Sequence, residues 1–170
     1  IRIYDVTDGD TDLSKPLYTY QTIHQDSRIL LMKFNPVFNT VLTTDQKGMV
    51  EYWMPSTGKL PEAGTKFKYK TETDLYEFAM KKTYPISLNI SKDGTQFVTM
   101  SRDRMVRLFD YQTGKLKKVY NETLEHAAQM QQSQVEGYVL ENIDFGRRMA
   151  IEKELEKLLD LIFENTNHKL

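Results

Sequence analysis

The residues that could carry chemistry centre on one histidine. His24 precedes an apolar run, Asp45 follows the next such run, and Trp53 ends a third. A histidine beside a carboxylate can act as a general base, but no nucleophile motif accompanies this pair. Buried imidazole and indole nitrogens need hydrogen-bond partners, so the same spacing predicts a structural set of buried side chains. The structural interpretation is favoured, and no catalytic residue is assigned.

Two other segments carry ligand-like patterns. Residues 8–12 place carboxylates at alternate positions, as a calcium loop does, but Leu13 stands where such a loop needs glycine, which favours a surface turn. Lysines and aromatic residues between positions 66 and 82 could contact an RNA backbone, although acidic residues are interleaved with them. The sequence therefore predicts no metal, cofactor or small-molecule ligand, and it leaves RNA contact as an open alternative.

The composition sets further bounds. The 170 residues are 39% hydrophobic and 28% charged, which is enough for a core, and the formal net charge of −1 gives no general attraction to nucleic acids or anionic membranes. No apolar run approaches the ~18 residues of a membrane-spanning helix, and no signal peptide is visible. The absence of cysteine fits a reducing compartment. Because Ile1 opens a strand-like run without a methionine, we expect a piece of a longer polypeptide.

The sequence repeats with a step of 56 residues. Trp53 and Phe109 end matching apolar runs at that distance, and Thr57–Leu60 recurs as Thr113–Leu116. Alternating apolar residues and turn pairs such as Asp93-Gly94 around these landmarks predict four antiparallel strands in each repeat. Repeats a little above ~40–45 residues, with an aromatic residue ending the third strand, are typical of WD-repeat β-propeller blades.

We therefore predict an all-β fold with a helical insertion, a partial WD-repeat β-propeller of four-stranded antiparallel blades. The fourth strand of its second blade is predicted near Lys66–Lys70. In chain order the predicted segments are the end of a first blade (1–25), a second blade (26–70), a connecting segment (71–85), a third blade (86–121), a helical insertion (122–159) and the start of a fourth blade (160–170).

The blade register predicts which side chains are structural. His24, Asp45 and Trp53 take the places where a WD repeat has a buried histidine, aspartate and tryptophan. The third blade retains an aspartate, Asp103, but has Phe109 instead of tryptophan and no equivalent histidine. Its polar set is therefore predicted to be incomplete, with Phe109 buried between blades.

Helix-forming residues replace the strand pattern after residue 120. Asn121 is predicted to cap a first helix, and Asp144 to cap a second, amphipathic helix. The apolar face of the second helix either packs on the host domain or docks a partner, and both interpretations stay open.

Two motifs that blade geometry does not require resemble a known family. They are TDLYEF at Thr73–Phe78 and FGRRMAIEKELEK at Phe145–Lys157. Together with DQKGMVEYW, which begins at Asp45, they resemble the propeller of the peptidyl-prolyl isomerase domain and WD-repeat-containing proteins, nuclear cyclophilins associated with the spliceosome. The likeness covers most of Asp45–Lys157. It implies a propeller followed by a cyclophilin domain with prolyl isomerase activity, none of whose catalytic residues lie in this chain.

The predicted function is therefore binding. By resemblance, the chain is expected to be a nuclear scaffold with protein partners, no membrane contact and no cofactor, which holds a tethered isomerase domain in the spliceosome during pre-mRNA splicing. The alternative is a generic WD-repeat adaptor of a ubiquitin ligase or trafficking assembly. A catalytic propeller is not favoured, since the three histidines are scattered. The candidate partner contacts are Thr73, Asp74, Tyr76, Phe78, Phe145, Arg147 and Arg148.

Overall fold

The computed structural model describes residues 1–5, 15–61, 64–132, 145–147, 149–155 and 157. This part of the chain is mainly antiparallel β-sheet with a few short helices. Two compact units divide the chain, Ile1–Asn121 and Glu122–Leu170. The first unit holds three open sheets, which confirms the predicted antiparallel sheet class. No closed ring is formed by the described residues.

The three sheets follow one another along the chain. The first pairs β1 (Arg2–Ile3) with β2 (Tyr18–Thr19). The second consists of β3 (Ile29–Asn35), β4 (Thr40–Asp45) and β5 (Val50–Trp53). The third consists of β6 (Pro85–Ile90), β7 (Gln96–Ser101), β8 (Met105–Asp110) and β9 (Leu116–Asn121). Consecutive strands are antiparallel neighbours, so each sheet is a meander with short connections.

The turn between β6 and β7 shows why the sequence specifies glycine there. Gly94 has a φ of 71°, a left-handed conformation that costs a residue with a Cβ steric energy. A Cβ atom at this position would lie 2.7 Å from Oδ1 of Asn35 in the second sheet. The Asn35 amide donates a hydrogen bond to the Gly94 carbonyl at 2.9 Å. The turn therefore joins β6 to β7 and also fixes the third sheet to the second.

Aromatic side chains fill the core between the second and third sheets. Phe97 and Phe109 are cross-strand partners on β7 and β8, and their rings stack with centroids 4.8 Å apart. Tyr52 of β5 meets the Phe97 ring nearly edge-on at 6.4 Å. Phe109 is 0% exposed, and complete burial of a phenylalanine side chain contributes ~1.5–3 kcal/mol. All six residues of β4 are buried, so both faces of that strand are covered.

The predicted fourth strand of the second sheet, Lys66–Lys70, is not formed. The Lys66 amide donates to the Gln112 carbonyl beyond β8, at 2.7 Å, and Phe67 packs against Tyr52 with ring centroids 5.5 Å apart. A 3₁₀ turn, Lys70–Glu72, then begins and leads to α1 (Glu77–Met80). The segment thus anchors itself through a buried aromatic ring and the third sheet, not by pairing with β5.

The second unit is helical where it is described. Helix α2 spans Leu124–Gln132, and residues 145–147 and 149–155 are also helical. The cap of α2 is Thr123, whose hydroxyl accepts the His126 amide at 3.3 Å, so the predicted cap Asn121 is wrong. Asn121 instead ends β9. None of the described helices is long and apolar enough to cross a membrane. The predicted cap Asp144 and the fourth blade at 160–170 lie outside the described residues.

Candidate functional site

The structure brings His24, Asp45 and Trp53 together through a fourth side chain, Thr43. His24 Nδ1 lies 3.0 Å from Asp45 Oδ2, and His24 Nε2 lies 2.8 Å from Thr43 Oγ1. Trp53 Nε1 donates to the same Thr43 oxygen at 3.2 Å. An ionised carboxylate only accepts and an indole only donates, so a neutral imidazole protonated on Nδ1 satisfies every group in the chain of bonds. Thr43 was missed because a threonine inside a strand pattern has no distinguishing sequence signal.

Asp45 also closes the turn between β4 and β5. Its Oδ1 accepts the backbone amides of Lys47 at 2.9 Å and Met49 at 2.8 Å. Burial acts to raise the pKa of Asp45, but the hydrogen bonds from the Met49 amide and His24 outweigh it and hold the pKa below its ordinary value. The ionised carboxylate is therefore the form that the folded protein favours.

This hydrogen-bonded set is closed to substrate. The side chains of His24 and Asp45 are 0% and 2% exposed. His24 has a φ of 56°, an uncommon backbone conformation that the two imidazole hydrogen bonds help to hold. The arrangement therefore ties the loop before β3 to the strands β4 and β5, and it presents no general base to a bound molecule.

The third sheet holds a buried ion pair beside the turn between β7 and β8. Arg107 Nη1 donates to Asp103 Oδ1 at 3.0 Å, and Nη2 donates to Asp103 Oδ2 at 2.6 Å. Nη1 also lies 3.2 Å from the Ser101 hydroxyl, and the guanidinium carbon lies 5.3 Å from the centroid of the Phe78 ring. Arg107 is 2% exposed, so the third sheet buries a paired charge that the sequence did not predict.

Asp103 is therefore not the counterpart of Asp45. With the 56-residue step of the repeat, the position that corresponds to Asp45 is Ser101. Asp103 lies two residues further along the turn. Asp103 bonds a guanidinium on its own hairpin, whereas Asp45 bonds an imidazole from a preceding loop. Both repeats contain an aspartate near this turn, but the two aspartates differ in position and in bonding partner.

Thr99 and Phe109 occupy the places of Thr43 and Trp53. Phe109 has no side-chain N–H group, and the sequence has no histidine between β5 and β6. Accordingly, Thr99 Oγ1 is buried without a hydrogen-bond partner in the described part of the chain. The third sheet retains the hydroxyl but has lost both of its bonding partners.

The candidate contacts in Thr73–Phe78 are mostly internal. Phe78 is 0% exposed and packs on Phe109 with ring centroids 5.6 Å apart, and Thr73 is 8% exposed. Asp74 accepts the Leu116 amide at 2.9 Å, which fixes it to the start of β9. Phe78 and Thr73 are therefore not surface contacts, because both side chains are buried by packing within the first unit.

The remaining candidate contacts stay predictions. Asp74 and Tyr76 are partly exposed. In the second unit Phe145 is partly exposed and Arg147 is exposed. Arg148 lies outside the described residues. No contact with a partner is tested at any of these positions.

One open pocket of about 450 Å³ lies beside the second sheet. Its lining residues are Leu60, Pro61, Thr65, Lys66, Phe67 and Lys68. The apolar side chains and the two lysines offer a shallow, partly basic surface. Among the residues that the structure describes, no three histidine, aspartate or glutamate side chains cluster as metal ligands do.

No protein-family model matches the chain. Curated relatives do match nearly all of it, and they are named as peptidyl-prolyl isomerases. Peptidylprolyl isomerase domain and WD repeat-containing protein 1 of Homo sapiens is 40% identical over 170 residues, covering 96% of this chain and 25% of that protein. Peptidyl-prolyl cis-trans isomerase CYP71 of Arabidopsis thaliana is 43% identical over 157 residues, covering 92% and 24%. The chain is homologous to these proteins and spans about a quarter of their length.

A relative with a different name also matches. Eukaryotic translation initiation factor 3 subunit I of Drosophila willistoni is 30% identical over 119 residues, covering 69% of this chain and 33% of that protein. Among solved structures, the WD40 repeats of RRP9 are similar with a TM-score of 0.43 and 13% identity, over 59% of this chain and 28% of that chain. At that TM-score the structural likeness carries no argument about the fold.

These names correct the function predicted from the sequence. The prediction was a binding scaffold that holds a tethered isomerase in the spliceosome, with a generic adaptor as the alternative. The relatives that match between 74% and 99% of the chain are instead named for an enzymatic activity, prolyl isomerisation, and none of these names mentions a scaffold or splicing. The resemblance to peptidyl-prolyl isomerase domain and WD-repeat-containing proteins is confirmed as homology, and the scaffold function is not retained.

Proposed function

We propose that the protein to which this chain belongs is a peptidyl-prolyl cis-trans isomerase. The observation that supports the proposal is 40% identity to a protein of that name along 96% of the chain. The reaction rotates the peptide bond before proline, whose uncatalysed barrier is ~18–20 kcal/mol, and it breaks no covalent bond. Such a reaction needs no nucleophile, so the sequence motifs of hydrolases and transferases are no guide to its site.

The experiment is an exchange measurement on a short peptide that contains one X-Pro bond. Two-dimensional NMR exchange spectroscopy measures the cis–trans rate with the full-length protein and, in parallel, with residues 1–170 alone. The full-length protein is expected to raise the rate at least about tenfold above the uncatalysed exchange, which takes tens to hundreds of seconds. An unchanged rate with a folded full-length protein contradicts the proposal, and comparing the two samples locates the activity.

We also propose that the three sheets are blades of a WD-repeat β-propeller. The support is a comparison of equivalent faces. Leu42, Val50 and Tyr52 of the second sheet are 0–3% exposed and belong to the core that the third sheet covers. Their counterparts 56 residues later, Val98, Val106 and Leu108, are all partly exposed. A further sheet stacked on the third would bury them as the third sheet buries their counterparts.

The first sheet supplies the same comparison on the other side. Met32 of β3 is 47% exposed, whereas its counterpart Leu88 of β6 is 3% exposed. Leu88 lies against the three-stranded second sheet, while the first sheet has only two described strands to offer Met32. Each open face is thus an apolar surface whose equivalent elsewhere in the chain is covered.

A charge placed on the open face tests the blade proposal. Val106→Glu in the full-length protein is expected to lower stability by ~2–4 kcal/mol, as expected for a charge buried without a partner. Val50→Glu, at the covered counterpart, is the reference. Chemical denaturation followed by circular dichroism measures both. A near-neutral effect of Val106→Glu beside a large effect of Val50→Glu would contradict a covering blade.

Nuclear localisation, which the family resemblance implies, is proposed on that resemblance alone. A fluorescent fusion of the full-length protein is expected to concentrate in the nucleus. A uniform or purely cytoplasmic signal would contradict the proposal.

A further inference from the structure

Two turns and one connecting segment meet at one end of the second and third sheets. The β4–β5 turn contains Gly48, where a Cβ would lie 2.4 Å from the Thr83 carbonyl oxygen. The β7–β8 turn contains Asp103, whose amide donates to the Thr83 hydroxyl at 3.2 Å. Thr83 ends the segment that follows α1, so this segment is held between the two turns. The side chains of the two turns and of this segment therefore share one surface.

That surface is rich in cations, and we name it the turn patch. Its members are Arg28, Lys47, Lys81, Lys82, Arg102 and Arg104. Arg28 belongs to it because its carbonyl accepts the Gln46 amide from the β4–β5 turn at 3.0 Å. All of these residues are exposed except Arg104, which is partly exposed. Against a formal net charge of −1 for the whole chain, the turn patch concentrates positive charge at one end of the sheets.

The carboxylates at this end do not cancel the charge. Asp103 is committed to Arg107 at 2.6 Å, and Asp45 is buried against His24. Asp26 and Glu77 lie on the adjoining segments, and they are fewer than the six cations of the turn patch. The surface therefore favours an anionic partner, and long-range attraction would raise its rate of association.

Met80 indicates what else the partner carries. It immediately precedes Lys81-Lys82 and is 68% exposed, which makes it a large apolar side chain in a cationic surrounding. A flexible thioether adapts to apolar side chains of varied shape, and exposed methionine is common on surfaces that bind protein segments. Nucleic-acid surfaces instead use aromatic rings on which bases stack. The combination of cations with an exposed methionine thus matches protein better than RNA.

We propose that the turn patch binds an acidic protein segment that carries at least one apolar side chain. Lys47, Lys81 and Lys82 contact its carboxylates, and Met80 contacts its apolar residue. The proposal is argued from the charge of the turn patch and the exposure of Met80, so it does not depend on the proposed activity.

Fluorescence anisotropy with the full-length protein tests the proposal. The probe is a fluorescein-labelled, glutamate-rich peptide that contains two leucines. The double variant Lys81→Glu/Lys82→Glu is expected to weaken its binding at least about tenfold, and raised salt is expected to weaken binding to the natural protein. Met80→Ser is expected to weaken the leucine-containing peptide more than a glutamate-rich peptide without leucine.

The matched control is Lys59→Glu/Lys92→Glu, which makes the same charge change at two exposed turn lysines of the opposite end. It is expected to change affinity less than about twofold, because those turns lie far from the turn patch along the strands. Thermal denaturation shows that each variant is folded. Equal losses in both double variants, no binding of the peptide by the natural protein, or tighter binding of a single-stranded RNA of equal charge would each overturn the proposal.

Discussion

The second and third sheets share one strand register but stabilise their interiors by different means. In the second, hydrogen bonds run from Trp53 through Thr43 to His24 and end on the Asp45 carboxylate. In the third, a buried ion pair between Arg107 and Asp103 joins β8 to the turn of its own hairpin. The second set ties a loop to the sheet, whereas the third set is local to β7 and β8. The comparison shows that a repeat can preserve its backbone while replacing the chemistry inside it.

The largest effect is expected in the aromatic core that both sheets share. Phe109→Ala removes a fully buried ring stacked on Phe97, and it should lower the free energy of unfolding by ~3–5 kcal/mol because it leaves a cavity. Chemical denaturation measures the change. A loss below about 1 kcal/mol would contradict the repeat alignment in which Phe109 corresponds to Trp53.

The ion pair should come next. Asp103→Ala leaves the Arg107 guanidinium buried without its carboxylate, and we expect a loss of ~2–3 kcal/mol, at the lower end for a buried pair because the Asp103 side chain is 27% exposed. The double variant Asp103→Ala/Arg107→Leu should recover part of this loss, since it removes the unpaired charge. If both variants are equally unstable, the cost arises from the turn and not from the charge.

Two matched threonines give the sharpest test of the comparison. Thr43→Val removes a hydroxyl that serves both His24 and Trp53, and it should cost ~1–3 kcal/mol. Thr99→Val replaces a buried hydroxyl that has no described partner, so it should be neutral or slightly stabilising. Parallel thermal melts compare the two. Equal losses would mean that the two hydroxyls are bonded alike.

The smallest effect concerns pH. Hydrogen bonds hold the pKa of Asp45 below its ordinary value, so its ionised form stabilises the fold fully above that ordinary value. This contribution is lost as the pH falls through the lowered pKa of the folded state. Asp45→Asn should therefore show a flatter loss of stability in acid than the natural protein. Denaturation midpoints from neutral to strongly acidic pH measure the difference, and parallel curves would contradict the expectation.

The strands could be predicted from the sequence because their signals are local. Alternation and turn pairs such as Asp93-Gly94 predict four strands in the third repeat, and the structure forms four there, β6 to β9. Lys66–Lys70 has the same alternation but does not pair, because a distant contact decides its conformation: Phe67 finds a buried place on Tyr52. Likewise, Asn121 is a residue type that can cap a helix, but it is the last residue of β9, and Thr123 caps α2 instead.

The site was only partly predictable for the same reason. His24 and Trp53 stand out by residue type, whereas the Thr43 hydroxyl that joins them is an ordinary strand residue. The role of Arg107 depends on a side chain that folds back across a turn onto Asp103, which no periodicity reveals. Phe78 looked like an identifying surface residue since blade geometry did not require it, yet its ring is fully buried on Phe109.

The position of Thr83 bears on how such chains change length. Its carbonyl lies against the place where Gly48 lacks a side chain, and its hydroxyl bonds the Asp103 amide. An inserted residue between Phe78 and Pro85 would move Thr83 away from one turn or the other. In the stretch that follows β5, Ser56 and Lys59 are exposed, and the hydrogen bonds of the Lys59 backbone stay within its own turn, to Met54 and Thr57. Length variation between these two sheets should therefore accumulate soon after β5 and be excluded just before β6.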